Sequence, residues 1–166
     1  MVVSPPLLDI EPKQRDAVVR KWLAQTFRTY PEQVSRFLGE SQDPFLNPVG
    51  RVLKEGLPVL FDELAGGFDK DRLRPPLDEI VHIRAVQDFT ASEAVGFVLL
   101  LKRILRNELN LAPELVTRLD LRIDELSLLA FDLYAACREQ MAEIRLREAK
   151  RRMYVPNRVA SRGTRG

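Results

Sequence analysis

The side chains best equipped for chemistry are few and scattered. His82 is the only histidine and Cys137 the only cysteine, which excludes histidine relays, two-histidine metal sites, thiolate-clustered metal centres and an intramolecular disulfide framework. A single helical histidine can ligate haem iron. Beside Val81 and Ile83, however, His82 reads as a packing or surface residue. Cys137 falls on an apolar seam and reads as a small buried hydrophobe, because a reactive cysteine needs exposure and a neighbour that stabilises its thiolate. The acid pairs Asp62 with Glu63 and Asp78 with Glu79 are adjacent in sequence, so their side chains diverge on a helix. There is no Gly-x-x-x-x-Gly-Lys phosphate loop, and Gly66-Gly67 reads as a helix stop. No enzymatic activity, metal or cofactor is expected.

One polar constellation stands out: Arg84, Gln87 and Asp88, spaced three and four apart on one helix face just before a second helix. Read structurally, Arg84 pairs with Asp88 or Glu93 and pins the turn between the two helices. Read functionally, the three residues form a small polar ligand pocket.

These residues need helices to place them. Apolar residues recur at spacings of three and four, with almost no period-two alternation and no internal repeat, which predicts an all-α fold, a compact helical bundle. Pro12 opens a first helix over about 13–29, with the apolar stripe Ala17, Val18, Leu23, Ala24 and Phe27. Tyr30-Pro31 ends it, since the residue before a proline leaves the helical region. A short helix over 32–38 and a loop through GESQDPFLNP follow. Gly50, Gly56 and Pro58 weaken or kink a helix over 49–64, which Gly66-Gly67 terminates. Arg74-Pro75-Pro76 opens a helix over 77–87, closed by Phe89. Thr90-Ala91-Ser92-Glu93 is a capping box, so a helix starts there. That helix is apolar nearly all round from Ala94 to Leu101, which places it at the centre of the core, with Gly96 permitting close helix contact.

From Pro113 to Pro156 there is no intervening proline or glycine. A helix of roughly 40 residues spans on the order of 60 Å, longer than a domain of this size is wide, so part of it must project. Leu119, Ile123, Leu126, Ala130, Leu133 and Cys137 follow one another at spacings of 4, 3, 4, 3 and 4, a heptad seam. The first five are the expected homodimer contact. Residues 139–152 are dense in Arg and Glu and read as solvated.

The chain of 166 residues, 45% hydrophobic and 30% charged, suits one domain with a sizeable core. It divides into an N-terminal extension (1–12), a helical domain (13–150) and a basic flexible tail (151–166). Residues 150–166 hold six basic and no acidic side chains, which leaves 20 basic and 24 acidic in the rest, a net charge of −4. The tail reads as a solvated terminus, with nonspecific nucleic-acid binding as its rival reading. The N-terminal sequence lacks the basic start and unbroken apolar core of a secretory signal. The longest apolar stretch falls far short of the ~20 residues a membrane span needs, so a cytoplasmic location is expected.

The stretch IRAVQDFTASEAVGFVLLLKRIL, Ile83 to Leu105, resembles the N-terminal sensory domain of the RsbRD-type co-antagonists, proteins of the bacterial stressosome. Trp22, the DPFLNPVG segment from Asp43 to Gly50 and the long final helix extend the resemblance to about residues 10–150. It implies an all-helical, dimeric signalling input domain whose last helix carries a conformational signal outward. In related stressosome proteins such a domain can be globin-like without haem. The co-antagonists continue into a STAS domain that carries their phosphorylatable residues. This chain is expected to stand alone, so no phosphorylation site is carried over, and it would hand its signal to a separate protein such as a STAS-domain protein or a kinase. The reading is therefore a cytoplasmic helical sensor or adaptor, homodimeric through the 119–133 seam, with a ligand pocket at Arg84, Gln87 and Asp88. Its rivals are a haem- or ligand-binding globin-like protein using His82, and a nucleic-acid-associated factor using the tail.

Overall fold

Caps and prolines set the helix boundaries. The computed structural model describes residues 5–43 and 45–160, the last six of them as backbone alone. It contains six α-helices and, among the described residues, no strand. α1 (Pro12–Phe27) has proline in its first turn, where the missing amide proton costs nothing. α2 (Glu32–Glu40) follows Pro31 and buries only Leu38. α3 (Pro48–Ala65) is capped by the buried Asn47, whose side chain accepts from the Gly50 amide at 2.8 Å and donates to the Leu38 and Ser41 carbonyls, both at 3.1 Å. α4 (Lys70–Val86), α5 (Ala91–Glu108) and α6 (Pro113–Ala160) complete the bundle. The capping box predicted at α5 is formed: the Glu93 amide donates to Thr90 Oγ1, and the Thr90 amide donates to the Glu93 carboxylate at 2.9 Å.

Three local expectations give way to packing. Pro58 lies inside α3, which runs for 18 residues with Leu57, Leu60 and Phe61 buried around it. α4 begins at Lys70 rather than Leu77, since the Asp69 side chain caps it by accepting from the Asp71 amide, and buried Leu73 and Leu77 hold the turns that contain Pro75 and Pro76. In α1 the buried stripe is Val18, Val19, Trp22, Thr26 and Phe27, whereas Ala24 is exposed. Gly96 marks no close contact: a methyl group there would meet no atom within 4 Å. The close approach lies at Gly56, where a Cβ would sit 2.9 Å from Ile80 Cδ1 and hold α3 apart from α4.

α5 packs against α1, α4 and α6, and α3 against α1, α2, α4 and α6. Trp22 stacks on Phe97 with ring centroids 6.2 Å apart, and its Nε1 donates to the Phe97 carbonyl at 2.7 Å, so this large ring is buried with its polar atom satisfied. The N-terminal extension is not free of the bundle. Leu7 and Leu8 are buried, and the Leu8 amide donates to the Ala65 carbonyl at 2.9 Å, at the C-terminus of α3.

α6 is 48 residues long, about 70 Å at 1.5 Å per residue. Its inner seam overturns the dimer assignment made from spacing. Leu119, Ile123, Leu126, Ala130 and Leu133 are buried in the chain's own core, against α4 and α5. The heptad has its complementary surface within the chain, so these five side chains are not available to a second copy. Beyond residue 141 every described side chain is exposed, so the far part of α6 projects. Of the tail expected over 151–166, the first ten residues continue α6, and residues 161–166 lie outside the described residues. None of the described helices is long and apolar enough to cross a membrane.

Candidate ligand site

The corner between α4 and α5 is built by a left-handed residue. The Asp88 amide donates to the Ala85 carbonyl at 3.3 Å and the Phe89 amide to the Arg84 carbonyl at 3.2 Å, the paired bonds of a Schellman motif. Asp88 occupies the position that glycine usually fills and has φ +62°. That conformation costs an L-residue on the order of 1–2 kcal/mol. The other left-handed non-glycine residue, Phe68, lies under the Arg122 guanidinium at 5.5 Å. Asp88 is exposed, and its carboxylate receives only a long 3.5 Å contact from Arg138.

Facing this corner is the break between α1 and α2, where Pro31 forces Tyr30 out of the helix. Together they border an open cleft of about 560 Å³, lined by Thr29, Tyr30, Pro31, Val34, Gln87, Asp88, Phe89 and Glu93. Of the three pocket residues expected from sequence, Gln87 and Asp88 line this cleft. Arg84 lies one layer beneath it and is fully buried.

Arg84 pairs with neither Asp88 nor Glu93 through their carboxylates. Its Nη2 donates to Thr29 Oγ1 at 3.0 Å and to the Glu93 main-chain carbonyl at 2.8 Å. Its guanidinium sits 4.4 Å from the Phe89 ring, 5.1 Å from Tyr30 and 5.4 Å from Phe97. Four of these contacts, Thr29, Tyr30, Phe89 and Glu93, are also walls of the cleft. Nε and Nη1 have no hydrogen-bond acceptor, and neither does the buried Tyr30 hydroxyl. Burial lowers the guanidinium below its ordinary value, offset in part by Tyr30 and Glu93, and pushes the Tyr30 phenol up. The floor of the cleft thus holds a cation stabilised by aromatic faces, while Asp88 and Glu93 place carboxylates at its rim. The arrangement is equipped to bind a small polar molecule, with an amide, two carboxylates and aromatic walls.

The cleft is also tied to the long helix. Tyr134 Oη on α6 donates to the Phe89 carbonyl at 2.6 Å, and Arg138 Nη1 reaches the Ala85 carbonyl at 3.4 Å as well as Asp88. Both lie where α6 leaves the bundle. Sequence reasoning missed Tyr30, Phe89, Tyr134 and Arg138. The Tyr30-Pro31 break marked the first of these and the helix end at Phe89 the second, but nothing local marked the other two.

His82 is exposed on α4, its Nδ1 3.3 Å from Cys137 Sγ, beside a separate cleft lined by Arg51, Asp78 and Glu79 among others. A charged surface recess of this kind does not fit a haem, which needs an apolar enclosure. Cys137 is buried, and burial, with Asp78 nearby, pushes its thiol up, so it is poorly disposed to form a thiolate. Among the described residues no group of three His, Cys, Asp or Glu side chains is placed to hold a metal ion.

The chain is thus an all-helical bundle in which the cleft wall is hydrogen-bonded to a projecting helix. The profile of the RsbT co-antagonist protein rsbRD N-terminal domain matches residues 16–149, and the chain belongs to that family. It is thus a stressosome-related signalling domain, and the matched span contains the cleft and all of α6 that packs on the bundle. No curated protein and no solved structure matches the chain significantly.

Proposed function

We propose that this chain is a non-enzymatic sensor domain in which occupancy of the Gln87–Asp88 cleft biases the position of α6 and is passed to a separate signalling protein in the cytoplasm. The observation that carries this reading is the direct hydrogen bonding of the cleft wall, at Asp88 and Phe89, to Tyr134 and Arg138 of α6. A ligand that prefers one arrangement of the corner changes the population of the helix position bonded to it. The strained Asp88 supports the same reading, because glycine would satisfy the turn at lower cost, whereas aspartate adds a carboxylate to the cleft beside that of Glu93. A STAS-domain protein or a kinase is the receiver suggested by the family. Homodimerisation, also suggested by the family, would use the outward face of α6, where Leu121, Leu128 and Phe131 are exposed, rather than the buried seam.

Native mass spectrometry of the chain purified gently from its own cells tests this. A retained small molecule that is lost in Asp88→Gly, while that variant melts higher because strain is relieved, is the expected result. A bare chain, or retained mass unaffected by Asp88→Gly and Gln87→Ala, would remove the cleft from the account.

A further inference from the structure

The outer end of α6 carries a second surface, separate from the cleft. Ala142, Leu146, Ala149 and Met153 follow one another at spacings of 4, 3 and 4, which keeps them in one stripe along the helix. All four are exposed, Leu146 at 57% and Met153 at 75%, and the bundle covers none of them. A narrow stripe alternating alanine with longer side chains suits close approach by another helix. A membrane-surface helix would need a broader apolar face.

The charges beside the stripe specify which helix. At about 100° per residue, Arg145 and Arg152 fall along one edge of it, and Glu143 and Lys150 along the other. Glu143 is engaged by Arg147 one turn on, at 3.8 Å. From Arg145 to Arg152 there are five cations and one carboxylate, Glu148. Parallel pairing with a second copy sets Arg145 against Lys150 on both edges, and antiparallel pairing sets Arg145 against Arg152 on one edge while Glu143, already engaged by Arg147, meets Lys150 on the other. Both geometries place like charges in contact beside the seam, which disfavours self-pairing and favours a helix of opposite charge. We propose that residues 142–153 of α6 are a docking helix for an acidic helical segment of another protein, one with apolar residues at heptad spacing flanked by Asp or Glu.

The test uses the full chain and a labelled synthetic peptide several heptads long, with Leu at both seam positions and Glu at both flanking positions. Fluorescence anisotropy is expected to show saturable binding that weakens about tenfold or more from low to high salt. Leu146→Glu combined with Met153→Glu should abolish it with no change in melting temperature, because these side chains touch nothing in the bundle. Arg145→Glu combined with Arg152→Glu should reverse the preference toward a peptide with Lys at the flanking positions. Equal binding of the Glu and Lys peptides by the unaltered chain would overturn the proposal. So would peptide binding that survives loss of Leu146 and Met153. Binding to duplex DNA or to phosphatidylserine vesicles without peptide binding, or a dimer that Leu146→Glu dissociates in the absence of peptide, would do the same.

Discussion

The two halves of α6 carry apolar residues at the same heptad spacing and meet different surroundings. Over 119–137 the seam is sealed against α4 and α5, and Ile123 and Ala130 have no exposed surface. Over 142–153 the seam meets solvent and is edged by arginines and a lysine. Spacing therefore defines that a helix has a pairing face, and the rest of the chain decides whether that face is already occupied. The joint between the halves is Tyr134 and Arg138, which is also where the helix is bonded to the wall of the cleft.

The contrast is broken most severely by charge. Leu126→Glu puts a carboxylate into the core and should cost roughly 4 kcal/mol or more, enough to unfold a domain of ordinary stability, as chemical denaturation would read. Leu146→Glu should change the same midpoint by less than about 0.5 kcal/mol, and comparable losses from both substitutions would erase the distinction between the halves. At the joint, Tyr134→Phe removes the hydrogen bond to Phe89 and should cost about 1 kcal/mol, with faster amide exchange in the helix beyond residue 138. Gly96→Ala on α5 should stabilise by up to about 1 kcal/mol, since its methyl has room and the helix loses a flexible residue. The smallest effect is electrostatic. The Thr90 amide, and then its hydroxyl, hold the Glu93 carboxyl below its ordinary value. This cap therefore contributes above the ordinary carboxylate range and is lost as pH falls through the lowered folded value. Glu93→Gln should flatten that part of an acid titration of stability while leaving the neutral-pH structure intact.

Much of the helical plan was legible because it rests on local chemistry. Pro12, the Tyr30-Pro31 break, the Thr90/Glu93 box and Gly66 act within a few residues of themselves, and each marks the boundary it announced. Pro75-Pro76 misled because the Asp69 cap starts α4 earlier and buried Leu73 and Leu77 hold the turns that contain the prolines. Gly96 misled because a glycine is silent about what faces it. The site was half legible: Gln87 and Asp88 stand at the cleft, but the burial of Arg84 beneath it depends on Thr29, Tyr30 and Phe97, brought in from two other helices.

By itself the sequence determined the all-helical class, the cap that starts α5, the start of α6 at Pro113 and its projection from the bundle, the polar corner before α5 and membership of the rsbRD N-terminal domain family. Only the tertiary structure decided that the 119–133 seam closes on its own chain, that Arg84 rests among aromatic rings instead of pairing with a carboxylate, and that the cleft is bonded to α6. The physical reason is range. Caps, propensities and periodicity are settled by neighbours three or four residues away, whereas burial, charge compensation and the choice of packing surface are settled by side chains that only folding brings together.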